Sequence, residues 1–282
     1  MAAMTVSTRD LVVDGLRLHV AEAGDGPALL LVHGLTASHA VWEHTIEAFA
    51  DRWRVIALDL PGHGASAKPD APYTIDFFAG MVRSLARALG VDEAVIVGSS
   101  LGGRVALELA AWYPTFARAL VLAAPAYGYS PAMRPIGRAL QALTGPRLLR
   151  ATLDEAFQQS FHDRRRIGHV VRRRILEERL LADDFPEFAR AVARSLGGVL
   201  AADPQPLERV TQPVLVVWGR QDRFVPLARS KGLLRKIPHA RLHALDRCGH
   251  LPMLEQPAAF NQVVAEFLRG ALAAPRPFAE VV

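Results

Sequence analysis

Short, uniformly apolar runs alternate with longer amphipathic stretches through the first half of the chain. Runs this short and this apolar are typical of strands buried on both faces of a parallel sheet, whereas the stretches between them have helical spacing. The predicted strands are Ala28–His33, Arg54–Leu58, Ala94–Gly98 and Ala119–Ala123, and the predicted helices are Ala40–Ala50, Ile75–Leu89 and Leu101–Tyr113. This alternation predicts an α/β fold built from βαβ units.

Four more strands complete the pattern. Two short runs around Asp14-Gly15 predict an antiparallel hairpin at the edge of the sheet. Near the C-terminus, strand and helix alternate again. The hairpin strands are Leu11–Val13 and Leu16–Ala21, the later strands are Val214–Trp218 and Leu242–Leu245, and the later helices lie near Ala228–Ile237 and Ala258–Leu272. The sequence therefore predicts a mostly parallel, eight-stranded sheet flanked by helices.

The alternation is interrupted after the sixth strand. From about residue 128 to residue 203 the pattern is helical, rich in arginine and broken by prolines. We therefore expect residues 1–127 and 204–272 to form the two parts of the core, and residues 128–203 to form a helical cap inserted between them. Residues 273–282 contain two prolines and no periodic pattern, which predicts a loose tail.

Composition narrows the class of protein. Hydrophobic residues make up 51% and charged residues 22% of the 282 residues, which is typical of a folded domain. No apolar run approaches the ~20 residues of a membrane-spanning helix, so we expect no stable membrane insertion. The N-terminus lacks the pattern of a signal peptide, and Cys248 is the only cysteine. These features favour a cytoplasmic protein.

The net charge of +5 is concentrated in one segment. Residues 128–203 contain 13 Arg, no Lys and 9 acidic residues, which leaves the rest of the chain nearly balanced. The arginines, such as Arg164–Arg166 and Arg172–Arg174, alternate with acidic and apolar residues. This pattern indicates a solvated helical surface rather than a nucleic-acid binding site.

A G-x-S-x-G motif at Gly98–Gly102 lies between a predicted strand and a predicted helix. This context is the one in which a nucleophilic serine is presented on a tight turn. Glycines stand two residues before and after Ser100, whereas Val97 and Leu101 flank Ser99 in the same way. Ser100 is therefore the predicted nucleophile. A phosphate-binding loop is disfavoured because no G-x-x-x-x-G-K-[ST] pattern is present.

A serine nucleophile needs a base that is oriented by an acid. Of the ten histidines, His250 follows the last predicted strand in a loop bounded by Gly249 and Pro252. Asp222 directly follows the predicted strand Val214–Trp218. This position places Asp222 at the same edge of the sheet as Ser100. Asp246, four residues before His250, is the alternative acid. Its position after a separate strand favours Asp222, because Asp246 lies in the same loop as His250 and the chain would have to fold back on itself.

An oxyanion formed by attack of Ser100 needs two N–H donors. The first predicted donor is Leu101, the residue after the nucleophile. The second is Leu35, in the loop after the third strand, where Gly34 permits close approach of the backbone. We expect His33 to hold this loop in place rather than to transfer protons.

Together these motifs resemble the α/β-hydrolase superfamily, in its branch of small capped serine hydrolases and esterases. The resemblance rests on His33-Gly34, Asp59–Ser66, Gly98–Gly102, Gly219–Asp222 and Gly249-His250. It implies the hydrolase fold and a Ser-His-Asp triad that needs no cofactor or metal. The sequence also lacks an H-E-x-x-H motif or a Cys/His cluster with metal-ligand spacing.

Differences between this sequence and related families narrow the set of reactions that it could catalyse. Ser100 excludes the chemistry of haloalkane dehalogenases and epoxide hydrolases, which carry aspartate as the nucleophile. Meta-cleavage-product hydrolases, which break C–C bonds, commonly have tryptophan after the catalytic histidine, and Leu251 counts against them without excluding them. Haloperoxidase-like and enol-lactonase relatives share the same catalytic serine arrangement, and their activities remain alternatives.

Apolar residues beside the motifs predict the substrate pocket. The core candidates are Leu35, Phe224, Leu251 and Met253, and the cap candidates are Met133, Leu140, Phe157 and Phe161. Such a pocket suits a small to medium hydrophobic ester that reacts through an acyl-enzyme. The alternatives are C–C hydrolysis of a diketo acid, which would need a cap arginine, and a ligand-sensing protein without catalysis. The oligomeric state is not predicted.

Overall fold

The computed structural model describes residues 5–142, 145–166, 172–202 and 206–273 and centres on one eight-stranded sheet. The strands are β1 (Ser7–Val13), β2 (Leu16–Ala23), β3 (Ala28–Val32), β4 (Arg54–Leu58), β5 (Ala94–Ser99), β6 (Ala117–Ala123), β7 (Val214–Gly219) and β8 (Arg241–Leu245). Their spatial order is β1-β2-β4-β3-β5-β6-β7-β8. The pairs β1–β2 and β2–β4 are antiparallel and all others are parallel, which confirms the predicted fold class.

The central strands are apolar throughout because both faces of the sheet are covered. In β3, Leu30 and Val32 belong to one hydrophobic cluster, whereas Leu29 and Leu31 belong to the cluster on the opposite face. Successive residues of a strand point to opposite faces, so a strand between two helical layers has no polar side.

Helices cover both faces of the sheet and fill the connection between β6 and β7. They are α1 (Glu43–Phe49), α2 (Ile75–Ala88), α3 (Leu101–Trp112), α4 (Arg134–Ala142), α5 (Pro146–Gln159), α6 (Glu178–Leu181), α7 (Phe185–Ala201), α8 (Ser230–Lys236), α9 (Pro252–Glu255) and α10 (Pro257–Ala273). Short 3-10 turns precede α1 and α8, at His39–Trp42 and Leu227–Arg229, where the sequence pattern predicted continuous helices.

Strand β1 is longer than its pattern predicted. It starts at Ser7 rather than Leu11, and Ser7–Asp10 are exposed. An edge strand without a buried face lacks the alternation of polar and apolar residues on which the prediction depended. Backbone pairing with β2, which runs from Ser7 opposite Glu22 to Val13 opposite Leu16, defines this strand instead.

The connection between β6 and β7, residues 124–213, is called the inserted segment here. Its described residues form helices and turns and contain no strand. Helix α4 packs along α7, which also contacts α5. Residue 203, at the end of the predicted cap, and residues 274–282 of the predicted tail lie outside the described residues. Within the described part of the chain, no helix is long and apolar enough to cross a membrane.

Candidate active site

Ser100 occupies the sharp turn between β5 and α3. Its φ and ψ angles are 51° and −110°, a conformation that is strained for a residue with a side chain. The turn is fixed by backbone bonds: the Ser100 N–H donates to the Ala123 carbonyl at 2.9 Å, and the Ser100 carbonyl accepts from Ala126 at 2.9 Å. Ser99, the competing serine, is fully buried in β5, and its hydroxyl has no partner among the described residues.

The glycines of the motif are required by backbone packing. A Cβ atom on Gly102 would overlap the carbonyl oxygen of Val32, at the end of β3. A Cβ on Gly98 would overlap the backbone of Gly102. Helix α3 can therefore begin close to β3 and β5 only when both positions lack a side chain. A Cβ on Gly34 would also lie 3.1 Å from the Cβ of Ser100, so this glycine permits the close approach of its loop.

The histidine and the acid predicted from sequence are hydrogen-bonded. Nδ1 of His250 lies 2.7 Å from Oδ2 of Asp222, and both side chains are buried. The other carboxylate oxygen of Asp222 accepts the N–H groups of Phe224 and Val225, each at 2.9 Å. A carboxylate that is bonded in this way accepts a hydrogen bond from the Nδ1–H of His250 and leaves Nε2 as an acceptor. Asp246 instead pairs with Arg220 at the surface.

The loop after β3 is held by His33. Nδ1 of His33 bonds the Gly34 carbonyl at 2.7 Å, and Nε2 accepts the Leu60 N–H at 2.9 Å. Because burial disfavours the charged ring, the pKa of His33 is lowered. Both ring nitrogens are engaged, so His33 fixes the loop, as the sequence predicted. Within the described residues, the N–H groups of Leu35 and Leu101 donate to no other group, and both residues border the cavity beside Ser100.

A cavity of about 330 Å³ lies over Ser100 and His250. Of the predicted pocket residues, Leu35, Phe157, Phe224 and Leu251 line it, and the Phe224 ring lies 5.7 Å from the His250 ring. The prediction missed several further lining residues, among them Val41, Tyr129, Ile175, Leu196 and Val199.

The other predicted pocket residues lie elsewhere. Met253 is fully buried in the core, and Phe161 packs against Phe157 with ring centroids 5.3 Å apart. Neither residue is among the described walls of the cavity, and neither is the half-buried Met133. The side chain of Leu140 lies outside the described residues.

The cavity wall is apolar around a few polar groups. Among the described lining residues, the only ionisable side chains are those of His250 and Tyr129. Burial raises the pKa of Tyr129, although the Arg229 guanidinium, 4.5 Å above its ring, opposes this rise. The described walls of this cavity therefore carry no Asp, Glu, Lys or Arg side chain, which suits a neutral, apolar group.

A second cavity of about 290 Å³ adjoins the first, and polar groups make up a larger share of its lining than in the first cavity. The two share Thr36, Ala37 and Ile175 as lining residues, and the second is also lined by Asp59 and Arg179. Arg179 donates to the Gly64 carbonyl at 3.1 Å and pairs with Asp184. Among the described arginines of the inserted segment, Arg179 is the one that lines either of these two cavities.

Asp59 anchors the turn that follows β4. Its carboxylate accepts the N–H groups of His39 at 2.6 Å and of Ala65 at 2.7 Å, and also bonds the His39 ring at 2.9 Å. Burial would raise the pKa of Asp59, but the bonds and charge of His39 lower it to about 2. His19, His39 and Asp59 form the one group of three potential metal ligands found in the described residues. His19 also bonds Asp10, so this cluster is engaged in hydrogen bonds of the scaffold.

Comparison with known proteins agrees with this architecture. A family profile described as alpha/beta hydrolase fold matches residues 27–257, so the chain belongs to that family. The 2-hydroxymuconate semialdehyde hydrolase of Pseudomonas sp. strain CF600 is 30% identical over 285 residues, covering 94% of this chain and 95% of that protein.

Two solved structures are similar over nearly their whole length. The 2-hydroxy-6-oxo-6-phenylhexa-2,4-dienoate hydrolase of Rhodococcus sp. strain RHA1 is 29% identical with a TM-score of 0.79, covering 95% of this chain and 100% of that one. A thermophilic esterase from Thermogutta terrifontis is 26% identical with a TM-score of 0.78, covering 94% and 99% of the two chains. The relatives thus include a dienoate hydrolase, a semialdehyde hydrolase and an esterase, and the chain is a hydrolase of this fold.

Proposed function

We propose that this hydrolase cleaves a carboxylic ester of a small to medium hydrophobic substrate through an acyl-enzyme. One arrangement carries the proposal: Ser100, on a strained turn, borders the same apolar cavity as the Asp222-bound His250, Leu35 and Leu101, whose N–H groups have no acceptor among the described residues. These are the nucleophile, oriented base and oxyanion donors that acyl transfer requires.

The reaction then has two steps. The Ser100 oxygen attacks the ester carbon while Nε2 of His250 takes the hydroxyl proton, and Asp222 stabilises the resulting imidazolium. The carbonyl oxygen becomes an oxyanion and accepts hydrogen bonds from Leu35 and Leu101. When the C–O bond breaks, His250 returns its proton to the departing alcohol, and water, activated by the same histidine, later releases the acid.

The composition of the cavity supports the substrate class. Its walls combine apolar side chains from the core, such as Val41 and Leu251, with others from the inserted segment, such as Leu196 and Val199. The inserted segment acts as a cap in this proposal, because it encloses the acyl group over Ser100. Because no Asp, Glu, Lys or Arg is among the described lining residues, the cavity favours a neutral acyl chain over an ionic one. We also propose a cytoplasmic location, as predicted from the sequence.

Labelling with a fluorophosphonate tests the proposal, with intact mass as the readout. Wild type should gain one phosphonyl adduct and Ser100→Ala none. Ser99→Ala is the matched control, since its buried hydroxyl makes no hydrogen bond among the described residues and its loss should be nearly neutral. A wild type that stays unlabelled would reject the esterase and favour a ligand-sensing role without catalysis.

C–C bond hydrolysis of a diketo acid is the second candidate. The names of the two hydrolases above support it, because their substrates, 2-hydroxymuconate semialdehyde and 2-hydroxy-6-oxo-6-phenylhexa-2,4-dienoate, are of this chemical kind. Arg179 supports it independently, because a substrate that extends from the first cavity past Ile175 into the second would bring its carboxylate toward this guanidinium. The bonds of Arg179 to Gly64 and Asp184 would then have to be shared with the substrate.

A pair of substrates separates the two candidates. Purified protein should be assayed on a p-nitrophenyl butanoate and on a dienoic diketo acid, as wild type and as Arg179→Gln. Higher kcat/KM on the diketo acid, lost in Arg179→Gln while the ester rate persists, would establish C–C hydrolysis. Higher kcat/KM on the neutral ester, unaffected by the substitution, would support the esterase.

A further inference from the structure

Glu255 lies at the end of α9, five residues after His250, and belongs to none of the sequence motifs described above. The side chain is buried, with 4% of its surface exposed. Its carboxylate accepts three backbone N–H groups from two separate parts of the chain. Gly249 donates at 2.7 Å, and His162 and Asp163 of the inserted segment donate at 3.1 and 2.7 Å.

These bonds connect the histidine loop to the inserted segment. Gly249 directly precedes His250, and the His250 N–H itself donates to the carbonyl of Ser160 at 2.6 Å. Ser160 and His250 both line the cavity. A Cβ on Gly249 would overlap the Ser160 carbonyl, so the two segments are in direct contact. The position of the His250 backbone therefore depends on the inserted segment.

Only a carboxylate satisfies this set of donors. Three N–H groups converge on two oxygens, and an ionised carboxylate accepts at both. A glutamine has the same shape but replaces one oxygen with an NH₂ group, which would face an N–H donor. At least one of the backbone groups would then lose its acceptor in a buried site.

We infer that Glu255 is a positioning residue, which fixes the His250 loop against the inserted segment so that Nε2 of His250 faces the reacting atoms. This inference rests on the proposed function of His250 as base and acid. It adds that the inserted segment takes part in orienting the histidine as well as covering the substrate.

The leaving group of the substrate distinguishes a positioning role from general destabilisation. Nitrophenolate departs without a proton, whereas an alkoxide must receive one from His250. In Glu255→Gln, kcat/KM for an ethyl ester should fall by about 10- to 100-fold, and kcat/KM for the p-nitrophenyl ester of the same acid should fall several times less. Loss of folded protein would lower both rates equally.

Glu266→Gln is the matched control, because Glu266 is an exposed glutamate in the next helix that accepts only from Gln262 among the described residues. It should keep the wild-type ratio of the two rates. An unchanged ratio in Glu255→Gln would overturn the positioning role.

Hydrogen exchange provides a readout independent of catalysis. The amides of Gly249 and Asp163 should exchange faster in Glu255→Gln than in wild type, with the amides of β5 unchanged. If wild type hydrolyses neither ester, the proposed function fails, and exchange alone then decides whether Glu255 joins the two segments. Equal exchange in both proteins would reject the connection.

Discussion

Asp222 and His250 are joined by a 2.7 Å hydrogen bond although 28 residues separate them in the chain. The strands that precede them, β7 and β8, are parallel neighbours, with Gly219 opposite Leu245. Because parallel strands end at the same edge of a sheet, the loops that follow them meet. The alternative acid, Asp246, lies on the same loop as His250, but its side chain is 79% exposed and paired with Arg220.

Asp222→Asn should lower kcat by about 10³- to 10⁴-fold with little change in folding. The asparagine amide can donate to Nδ1 of His250, or it can accept from Nδ1–H less strongly than the carboxylate does. Nε2 of His250 would therefore no longer be fixed as the acceptor nitrogen. Steady-state kinetics on a p-nitrophenyl ester, with circular dichroism to verify folding, measures this effect.

Asp246→Asn is the control for that substitution. It removes an exposed ion pair and should change kcat by less than about twofold. A comparable loss in Asp246→Asn, or full activity in Asp222→Asn, would contradict the assignment of the acid.

Gly102→Ala should destabilise the fold, by about 2–4 kcal/mol, or prevent folding. Its Cβ would overlap the Val32 carbonyl, and neither β3 nor α3 can move without disrupting the sheet. Urea denaturation measures the loss. Gly80→Ala, in the interior of α2, is the opposite case, since a Cβ there meets no atom within 4 Å. It should stabilise by about 0.5–1 kcal/mol, and equal effects of the two substitutions would refute this account.

Under the proposed ester hydrolysis, Val199→Phe should shorten the acyl chain that the protein accepts. Val199 lines the cavity from α7, so a larger side chain removes volume near Ser100. We expect kcat/KM for an octanoate ester to fall at least about 10-fold while that for an acetate ester changes less than about threefold. Val12→Phe, at an exposed position on β1, should leave both rates unchanged. Equal losses on both esters in Val199→Phe would place the acyl group elsewhere.

Glu108 makes the stability of the fold depend on pH. Burial raises its pKa from 4.5 to about 7, and the neighbouring Asp76 carboxylate adds to the rise. A carboxyl group whose folded pKa is raised contributes its stability in full below the unfolded pKa of 4.5, and this contribution is lost as the pH rises through 7.

Glu108→Gln does not titrate and should therefore lose this dependence. Its free energy of unfolding, relative to wild type, should increase by roughly 1–2 kcal/mol between pH 5 and pH 8, after allowance for solvent screening. Denaturation in urea at several pH values measures the difference. The exposed Glu266→Gln should show no such trend, and a constant difference for Glu108→Gln would exclude the effect.

Local pattern was sufficient to predict the central sheet and the turn at Ser100. A uniformly apolar strand such as Ala94–Gly98 is buried on both faces only when it lies between two layers of helices. The two glycines around Ser100 are both required by a tight turn between a strand and a helix. The edge strand β1 was predicted too short because exposed residues such as Ser7 are determined by pairing with β2 rather than by burial.

The sequence by itself determined the order of strands and helices, the two-layered burial of the sheet, and the short list from which Ser100, Asp222 and His250 were chosen. Only the tertiary structure decided which side chains surround the cavity. Phe157 and Phe161 lie on the same inserted segment, yet only Phe157 reaches the cavity wall. Glu255 looked like an ordinary helical glutamate until folding brought Gly249 and Asp163 to its carboxylate. Periodicity along a chain reports which residues are buried, but the partner against which each is buried depends on contacts between distant segments.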